Sequence, residues 1–246
     1  MPRLVPFRLA AACALALVLV ASTAAIAAAK VPADLRVVGG GGKILAEETL
    51  KTGTVSVPTS SKATCFGKGT AGSGKAATIK GATALGLLGQ AAKSTKALQP
   101  LLLTDAFDFG LGICGVGGYK ATSKLSWYLK VNHKNPELGG DAVKLKAGDD
   151  VLWALEPYPY PNELSLVAPT DATAGAPFEA RVFSYSDKGK RKPAAGVTVT
   201  GASAPTNAEG RTTVTLTGPT TLVATHGKDI PSNQVAVCVG GACPTG

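Results

Sequence analysis

Aromatic side chains that can stack on a flat ligand are concentrated in one stretch of the chain. Two tryptophans and three tyrosines lie close together in the sequence: Trp127, Tyr128, Trp153, Tyr158 and Tyr160. They fall in or beside segments where apolar and polar residues alternate, which predicts strands of a small sheet. Neighbouring side chains of a strand point to opposite faces. One aromatic face therefore packs in the core, and the other is free to stack on a sugar or planar ligand. Packing is the commoner role of large aromatics, and these five residues are the candidate ligand-binding residues.

The residues that catalysis requires are not arranged in a recognisable set. Nucleophilic hydrolysis needs a base beside a serine or cysteine and a third group that orients the base. The two histidines, His133 and His226, are far apart in the chain, and each stands beside residues typical of exposed turns. The neighbouring carboxylates Asp149 and Asp150 are explained by a Gly-Asp turn. We therefore predict no enzymatic activity, no catalytic residues and no cofactor; an unrecognised hydrolase is the weakest alternative.

The sequence contains a near match to a phosphate-binding motif and cysteines that could suggest a zinc site, but neither motif is complete. Residues 69–76 read Gly-Thr-Ala-Gly-Ser-Gly-Lys-Ala, which is close to a phosphate-binding P-loop. Ala76 stands where that loop needs a serine or threonine for Mg²⁺, and no buried strand precedes the motif. The cysteine and histidine spacings fit no zinc finger. We expect neither a nucleotide site nor a metal site.

The N-terminal residues have the three parts of a secretory signal peptide. Arg3 and Arg8 supply the positive charge, and residues 9–29 are uncharged, mostly apolar and end in three alanines. We predict a signal peptide over residues 1–29, cleavage near Ala29-Lys30 and a secreted, extracellular protein. The alternative is an uncleaved anchor, because an uncharged segment of this length can span a bilayer. Cys13 lies inside the apolar segment, which argues against a lipoprotein.

Removal of the signal peptide leaves an even number of cysteines. An even number in an exported chain indicates disulfides. They are Cys65, Cys114, Cys238 and Cys243. Four cysteines allow three pairings. Each of the two domains proposed below contains two of the four cysteines. We therefore predict the pairs Cys65–Cys114 and Cys238–Cys243.

The chain is basic, with a formal net charge of +9. The excess of lysine and arginine lies mainly before residue 160. A basic surface attracts anionic cell-wall polymers or an acidic ligand, although a scattered, solvated lysine surface is the simpler interpretation. The lysines form no arginine-rich cluster interleaved with aromatics, so we expect no nucleic acid partner.

A proline-rich segment divides the mature chain into two predicted domains. Residues 158–162 read Tyr-Pro-Tyr-Pro-Asn, and prolines at alternate positions predict a stiff, extended linker. The first domain spans residues 30–157 and the second spans residues 163–246. In the first, residues 83–93 have apolar residues at helical spacing behind Thr83, a good N-cap. Residues 58–81 are rich in Ser, Thr, Gly and Lys and predict a loop.

Three short motifs in the first domain resemble a known family. Residues 127–132 read Trp-Tyr-Leu-Lys-Val-Asn, residues 145–153 read Leu-Lys-Ala-Gly-Asp-Asp-Val-Leu-Trp, and residues 112–115 read Gly-Ile-Cys-Gly. The pattern is similar to the DUF4430 family, the bacterial relatives of the transcobalamin C-terminal domain. The resemblance covers about residues 34–156 and implies a β-grasp-like binding module with one helix across a small sheet. In transcobalamins the related domain closes over cobalamin beside a large helical barrel, which this chain lacks, so cobalamin is not implied as a ligand.

The second domain shows short alternating strands with turns about every 8–12 residues, which is typical of a β-sandwich. Residues 195–199 and 206–214 resemble bacterial immunoglobulin-like and carboxypeptidase-regulatory-like modules. The predicted fold class is therefore α+β, then all-β: a β-grasp-like domain followed by an immunoglobulin-like β-sandwich.

These features favour an exported, non-catalytic recognition or adhesion protein of the bacterial cell exterior. Its expected partners are a cell-wall polymer, a glycan or another surface protein, with no membrane contact after signal cleavage. The alternative is an extracellular small-ligand carrier related to cobalamin-binding modules. An exposed apolar groove near Trp127 and Trp153 favours the carrier, whereas a flat polar face favours recognition.

Overall fold

The computed structural model describes residues 30–245. The predicted signal peptide and Cys13 lie outside the described residues. Within the described range the chain is mostly β, with one α-helix, α1 (Ala84–Ser94). Nine strands precede the proline-rich segment: β1 (Val31–Gly39), β2 (Lys43–Thr52), β3 (Val55–Pro58), β4 (Ala76–Ile79), β5 (Leu102–Phe107), β6 (Gly110–Val116), β7 (Tyr119–Lys120), β8 (Leu125–Val131) and β9 (Asp150–Pro157). Nine follow it: β10 (Glu163–Val167), β11 (Asp171–Ala172), β12 (Pro177–Tyr185), β13 (Arg191–Pro193), β14 (Thr198–Val199), β15 (Arg211–Thr215), β16 (Thr220–Leu222), β17 (Ala224–Thr225) and β18 (Val235–Val239).

The N-terminal part is built around a four-stranded sheet with the order β2-β1-β9-β8. The two outer pairs are antiparallel, whereas the central strands β1 and β9 are parallel and pair Leu35 with Val151. Parallel neighbours need a long crossover connection. Here the crossover contains α1 and the short strands β3 to β7.

Helix α1 begins where the sequence predicts. The Thr83 side chain accepts a hydrogen bond from the backbone N–H of Gly86 at 3.0 Å, which satisfies one of the free donors of the first turn. Apolar residues at helical spacing then bury one side of the helix against the sheet: Leu85, Leu87, Leu88 and Ala91. The predicted helix and its cap are confirmed.

The four-stranded sheet is covered on both faces. Alternate residues point toward α1 and join its core: Leu35, Val37, Leu129, Val151 and Trp153. The residues between them form a second cluster that includes Ile230 from the C-terminal part: Val38, Tyr128, Leu152 and Ala154. The C-terminal part thus packs on the face opposite α1.

The sequence predicts a loop over residues 58–81, but part of this segment forms a strand. Its end forms β4, which pairs antiparallel with β3, so that Val55 lies opposite Ile79. Burial of these two side chains against α1 explains why a segment rich in polar residues forms a strand. A further small sheet, β5-β6-β7, lies beside it, and the disulfide Cys65–Cys114 joins the remaining loop to β6.

The C-terminal part consists of strands alone within the described residues. Strand β12 pairs with β10 on one side and with β13 and β15 on the other. A second sheet has the order β11-β18-β16, and β14 pairs with β17. Side chains from both groups share one apolar core: Leu164, Val182, Val199, Val214, Leu222 and Val237.

Both predicted disulfides are present. Cys65 and Cys114 have their Cα atoms 5.3 Å apart, and Cys238 and Cys243 have theirs 4.0 Å apart. Such bonds form in oxidising compartments. None of the helices within residues 30–245 has the length and apolar character that a bilayer crossing requires.

Candidate ligand-binding cleft

Trp127 and Trp153 lie on the same face of the β8–β9 hairpin. In its antiparallel register Trp127 is opposite Leu155 and Leu129 is opposite Trp153, and all four side chains point toward the α1 side. Trp153 is 5% exposed, and its indole Nε1 donates a hydrogen bond to the carbonyl of Ala84 at 3.3 Å. Trp153 is therefore a core residue with a satisfied polar atom.

A loop packs closely on the Trp153 ring. A Cβ atom added to Gly140 would lie 2.6 Å from Cζ2 and Cη2 of the indole, so only glycine fits there without a shift. The backbone carbonyl of Gly140 also accepts a hydrogen bond from the N–H of Leu85 at 2.8 Å. This loop forms one wall of a cleft beside the hairpin.

The cleft has a volume of about 410 Å³ and runs along the outer strand β8. None of the residues that line it carries a charge, although the chain is strongly basic. Five large apolar side chains are exposed in the described residues, and three of them line this cleft: Phe66 (52%), Phe109 (85%) and Leu138 (63%). Contiguous exposed apolar surface is a feature of ligand-binding grooves.

The aromatic rim of the cleft is assembled from separate segments. Phe66 meets Phe107 edge to face with ring centroids 5.2 Å apart, and Phe107 stacks on Phe109 at 4.9 Å. Phe66 follows Cys65, whose disulfide to Cys114 ties this loop to β6. The disulfide therefore holds Phe66 beside the β5–β6 hairpin, which carries Phe107 at the end of β5 and Phe109 in its turn.

Trp127 is half-buried and lines the cleft. Its indole Nε1 is buried and has no hydrogen-bond partner among the described residues. Trp127 therefore lacks the hydrogen bond that fixes the indole of Trp153.

The tyrosines divide between the cleft and the surface. Tyr128 and Tyr160 both line the cleft and stack with ring centroids 3.8 Å apart. The hydroxyl of Tyr128 donates to Asp187 Oδ1 at 2.5 Å, and the hydroxyls of Ser126 and Tyr160 are 2.8 Å apart. Burial, and then the hydrogen bond to Asp187, raise the pKa of Tyr128 well above its usual range. Tyr158 is 83% exposed and lies outside the lining. Four of the five candidate residues thus meet at one cleft.

A cluster of buried charges lies between the two parts of the chain. Glu163 is 0% exposed and forms ion pairs with Arg36 and Lys130, which are 3% and 0% exposed. His133 Nδ1 lies 3.0 Å from Glu163 Oε1, and its ring stacks on Tyr185 at 3.8 Å. The sequence predicts that His133 lies in an exposed turn, but the residue is only 26% exposed because the C-terminal part packs over that turn.

This cluster contains side chains that could bind a metal ion, but its buried carboxylate is already paired with two cations. His133, Asp150 and Glu163 offer ligand atoms within 4.8 Å of one another. Burial by itself raises the pKa of Glu163, but the hydrogen bond from His133 and the charges of Arg36 and Lys130 outweigh it, so the pKa of Glu163 lies below its usual range. A metal ion would have to enter beside two buried cations, which is electrostatically unfavourable.

The histidines do not form a catalytic arrangement in residues 30–245. His133 bonds Glu163, and His226 Nδ1 lies 3.0 Å from Asp229 Oδ2. In this part of the chain neither imidazole is hydrogen-bonded to a hydroxyl or a thiol. Within residues 30–245 neither histidine is therefore placed to act as a base for a hydroxyl or thiol nucleophile.

No protein-family model matches the chain, and none of the curated proteins matches its sequence. The cleft and its surroundings are therefore the features of this chain that bear on its function.

Proposed function

We propose that this protein is an exported, non-catalytic binding protein whose cleft takes a neutral, flat, mostly apolar small molecule. The observation that carries the proposal is the uncharged cleft beside Trp127, with three of the exposed apolar side chains at its rim. A groove of this kind supports the carrier interpretation over adhesion through a flat polar face. The two disulfides support an extracellular location.

The size and polarity of the cleft define the ligand class. A volume of about 410 Å³ lies within the range of small-molecule sites, roughly 300–1,000 Å³. A ligand charge buried there would find no opposite charge in the lining, and burying an unpaired charge is costly. The hydroxyls of Thr122 and Ser126 and the amide of Asn135 offer hydrogen bonds to a few neutral polar atoms. A planar ring system with one or two carbonyl or hydroxyl groups fits these properties.

The fold interpretation supports the same proposal. A mixed sheet with parallel central strands β1 and β9, flanked by antiparallel hairpin partners and crossed by one helix, has the layout expected of a β-grasp module. The strand-only C-terminal part supports an immunoglobulin-like sandwich. We assign it the role of a support, because it covers the sheet face opposite α1. The DUF4430-like resemblance agrees with a binding module and does not extend to cobalamin.

A fluorescence titration with Nile red, a neutral apolar dye, tests the proposal on the mature chain. We expect saturable binding that the variant Phe109→Ala weakens about tenfold or more, because burial of a phenylalanine side chain contributes about 1.5–3 kcal/mol. Tyr158→Ala is the matched control. Both side chains are more than 80% exposed and aromatic, but only Phe109 lines the cleft.

Three outcomes would contradict the carrier proposal. They are an absence of saturable binding, equal loss of affinity in the two variants, and displacement of the dye by salt rather than by neutral aromatic competitors. Retention on isolated cell walls without dye binding would instead support the recognition or adhesion role.

A further inference from the structure

A second cleft lies where the two parts of the chain meet, and it contains an unusual carboxylate. The cleft has a volume of about 310 Å³, and its walls are the turn at Gly41 and Gly42, the end of β9, and a loop of the C-terminal part. Glu156 lines it and is 8% exposed. No hydrogen bond or ion pair to its carboxylate exists among the described residues. This cleft shares no residue with the cleft beside Trp127.

Glu156 points into this cleft because of its register in β9. It lies opposite Ser126 and on the same face as Leu152 and Ala154, which pack against the C-terminal part. An acidic side chain on a covered face normally has a partner. Glu163, on the same interface, is neutralised by Arg36 and Lys130, whereas Glu156 is left open to the cleft.

Three other ionisable residues line the cleft: His226, Lys228 and Asp229. Asp229 is engaged by His226, with Nδ1 and Oδ2 3.0 Å apart. Lys228 is exposed and makes no ion pair with Glu156. Burial raises the pKa of Glu156 to about 7, and no neighbouring charge offsets it. The carboxylate is therefore desolvated but reachable from the cleft.

We propose that this cleft binds a small organic cation, a guanidinium or primary ammonium group, which forms an ion pair with Glu156. A cation with several N–H donors supplies the partner that both carboxylate oxygens lack, and a guanidinium can do so through two parallel hydrogen bonds. The volume admits such a group with a short carbon chain. Asp229 also lines the cleft, but His226 already engages it, so Glu156 is the carboxylate left to pair with the ligand.

The test measures binding of butylguanidinium, with butylurea as its neutral isostere, by isothermal titration calorimetry on the mature chain. At pH 8 we expect butylguanidinium to bind at least tenfold more tightly than butylurea. Lowering the pH to 5.5 protonates Glu156 and should weaken butylguanidinium binding at least tenfold, while butylurea is unaffected.

Variants separate this site from its neighbours. Glu156→Gln should abolish the preference for the cation and the pH dependence together, whereas Glu137→Gln, at an exposed position outside the cleft, should change neither. An imidazole also changes charge over this pH range, so His226→Gln is needed as a second control and should retain the pH dependence.

Two results would overturn the proposal. One is equal affinity for butylguanidinium and butylurea in the unmodified protein. The other is a Glu156→Gln variant that melts a few degrees higher at pH 8 than the unmodified protein while neither binds the cation; Glu156 would then be an uncompensated buried charge without a ligand. Because Nile red binding is measured at a different cleft, failure here leaves the proposed function untouched.

Discussion

Lys130 Nζ lies 3.5 Å from Glu163 Oε2, and both side chains are fully buried between the two parts of the chain. The ammonium group also donates to the carbonyls of Tyr185 and Ser186, each at 3.1 Å. Lys130 belongs to the N-terminal part and its partners to the C-terminal part. A lysine in an alternating strand is normally solvated, so this pair shows that the relative position of the two parts is defined by specific polar contacts.

Removal of the Glu163 charge should strongly destabilise the protein. Glu163→Gln removes the ion-pair partner of both Arg36 and Lys130, and breaking a buried pair costs about 3–5 kcal/mol. Guanidinium chloride denaturation measures the effect. Glu179→Gln breaks the exposed pair with Arg211 and serves as the control, for which we expect little change. Equal effects of the two substitutions would show that the buried network does not contribute to stability.

The same carboxylate should make the protein sensitive to acid. The pKa of Glu163 is lowered in the folded state, so its contribution to stability is complete above the pKa of an unfolded-chain glutamate and is lost as the pH falls through the lowered folded-state value. We expect denaturation midpoints to fall as the pH drops below about 4.5, the ordinary pKa of a glutamate. The fall should be smaller in Glu163→Gln, and an unchanged slope in that variant would exclude Glu163 as its cause.

The two tryptophans should respond differently to truncation. Trp153→Ala removes a core side chain and should cost about 3–5 kcal/mol of stability. Trp127 is half-buried, so Trp127→Ala should cost less but should reduce Nile red binding. Thermal melts and dye titrations on both variants distinguish the roles. Two equally destabilised variants, with dye binding intact in Trp127→Ala, would mean that Trp127 is a packing residue only.

The disulfides should contribute unequally to stability and to the cleft. The bond Cys65–Cys114 closes a sequence separation of 49 residues, and its removal should cost about 4 kcal/mol, against about 2 kcal/mol for Cys238–Cys243 with a separation of 5. Only the first holds Phe66 at the rim. Replacing both cysteines of each pair by serine, followed by melts and dye titrations, should weaken dye binding in the first variant alone. A loss of binding in the second variant would contradict this assignment of roles.

Cutting the chain at the proline-rich linker should lower the stability of the N-terminal part. Residues 30–157 expressed alone would expose the sheet face around Leu152 and Ala154 and leave Arg36 and Lys130 without Glu163. We expect cooperative melts for this fragment and for residues 162–246, with the first melting below the intact chain. If either fragment is unfolded when alone, the chain is a single folding unit.

Local features of the structure could be predicted from the sequence because they depend on neighbouring residues. Thr83 and the apolar spacing behind it determine helix α1. The alternation around Trp127 determines which side chains share a face, and two cysteines in each part lead to the observed pairing. The sequence also predicted four of the residues that meet at the cleft. Phe66, Phe109 and Leu138 were missed, because they come from loops whose proximity has no periodic signal.

The tertiary structure alone decided what covers each face of the central sheet. The alternation predicts that Tyr128 and Lys130 lie on the other face of the sheet from Trp127 and Leu129. It does not predict whether solvent or another layer of the protein covers that face. The C-terminal part covers that face, which turns Lys130 into a buried cation, pairs it with Glu163 and leaves Glu156 desolvated. Burial depends on contacts between residues far apart in the chain, and for that reason the charge network and the second cleft have no signature in the local sequence.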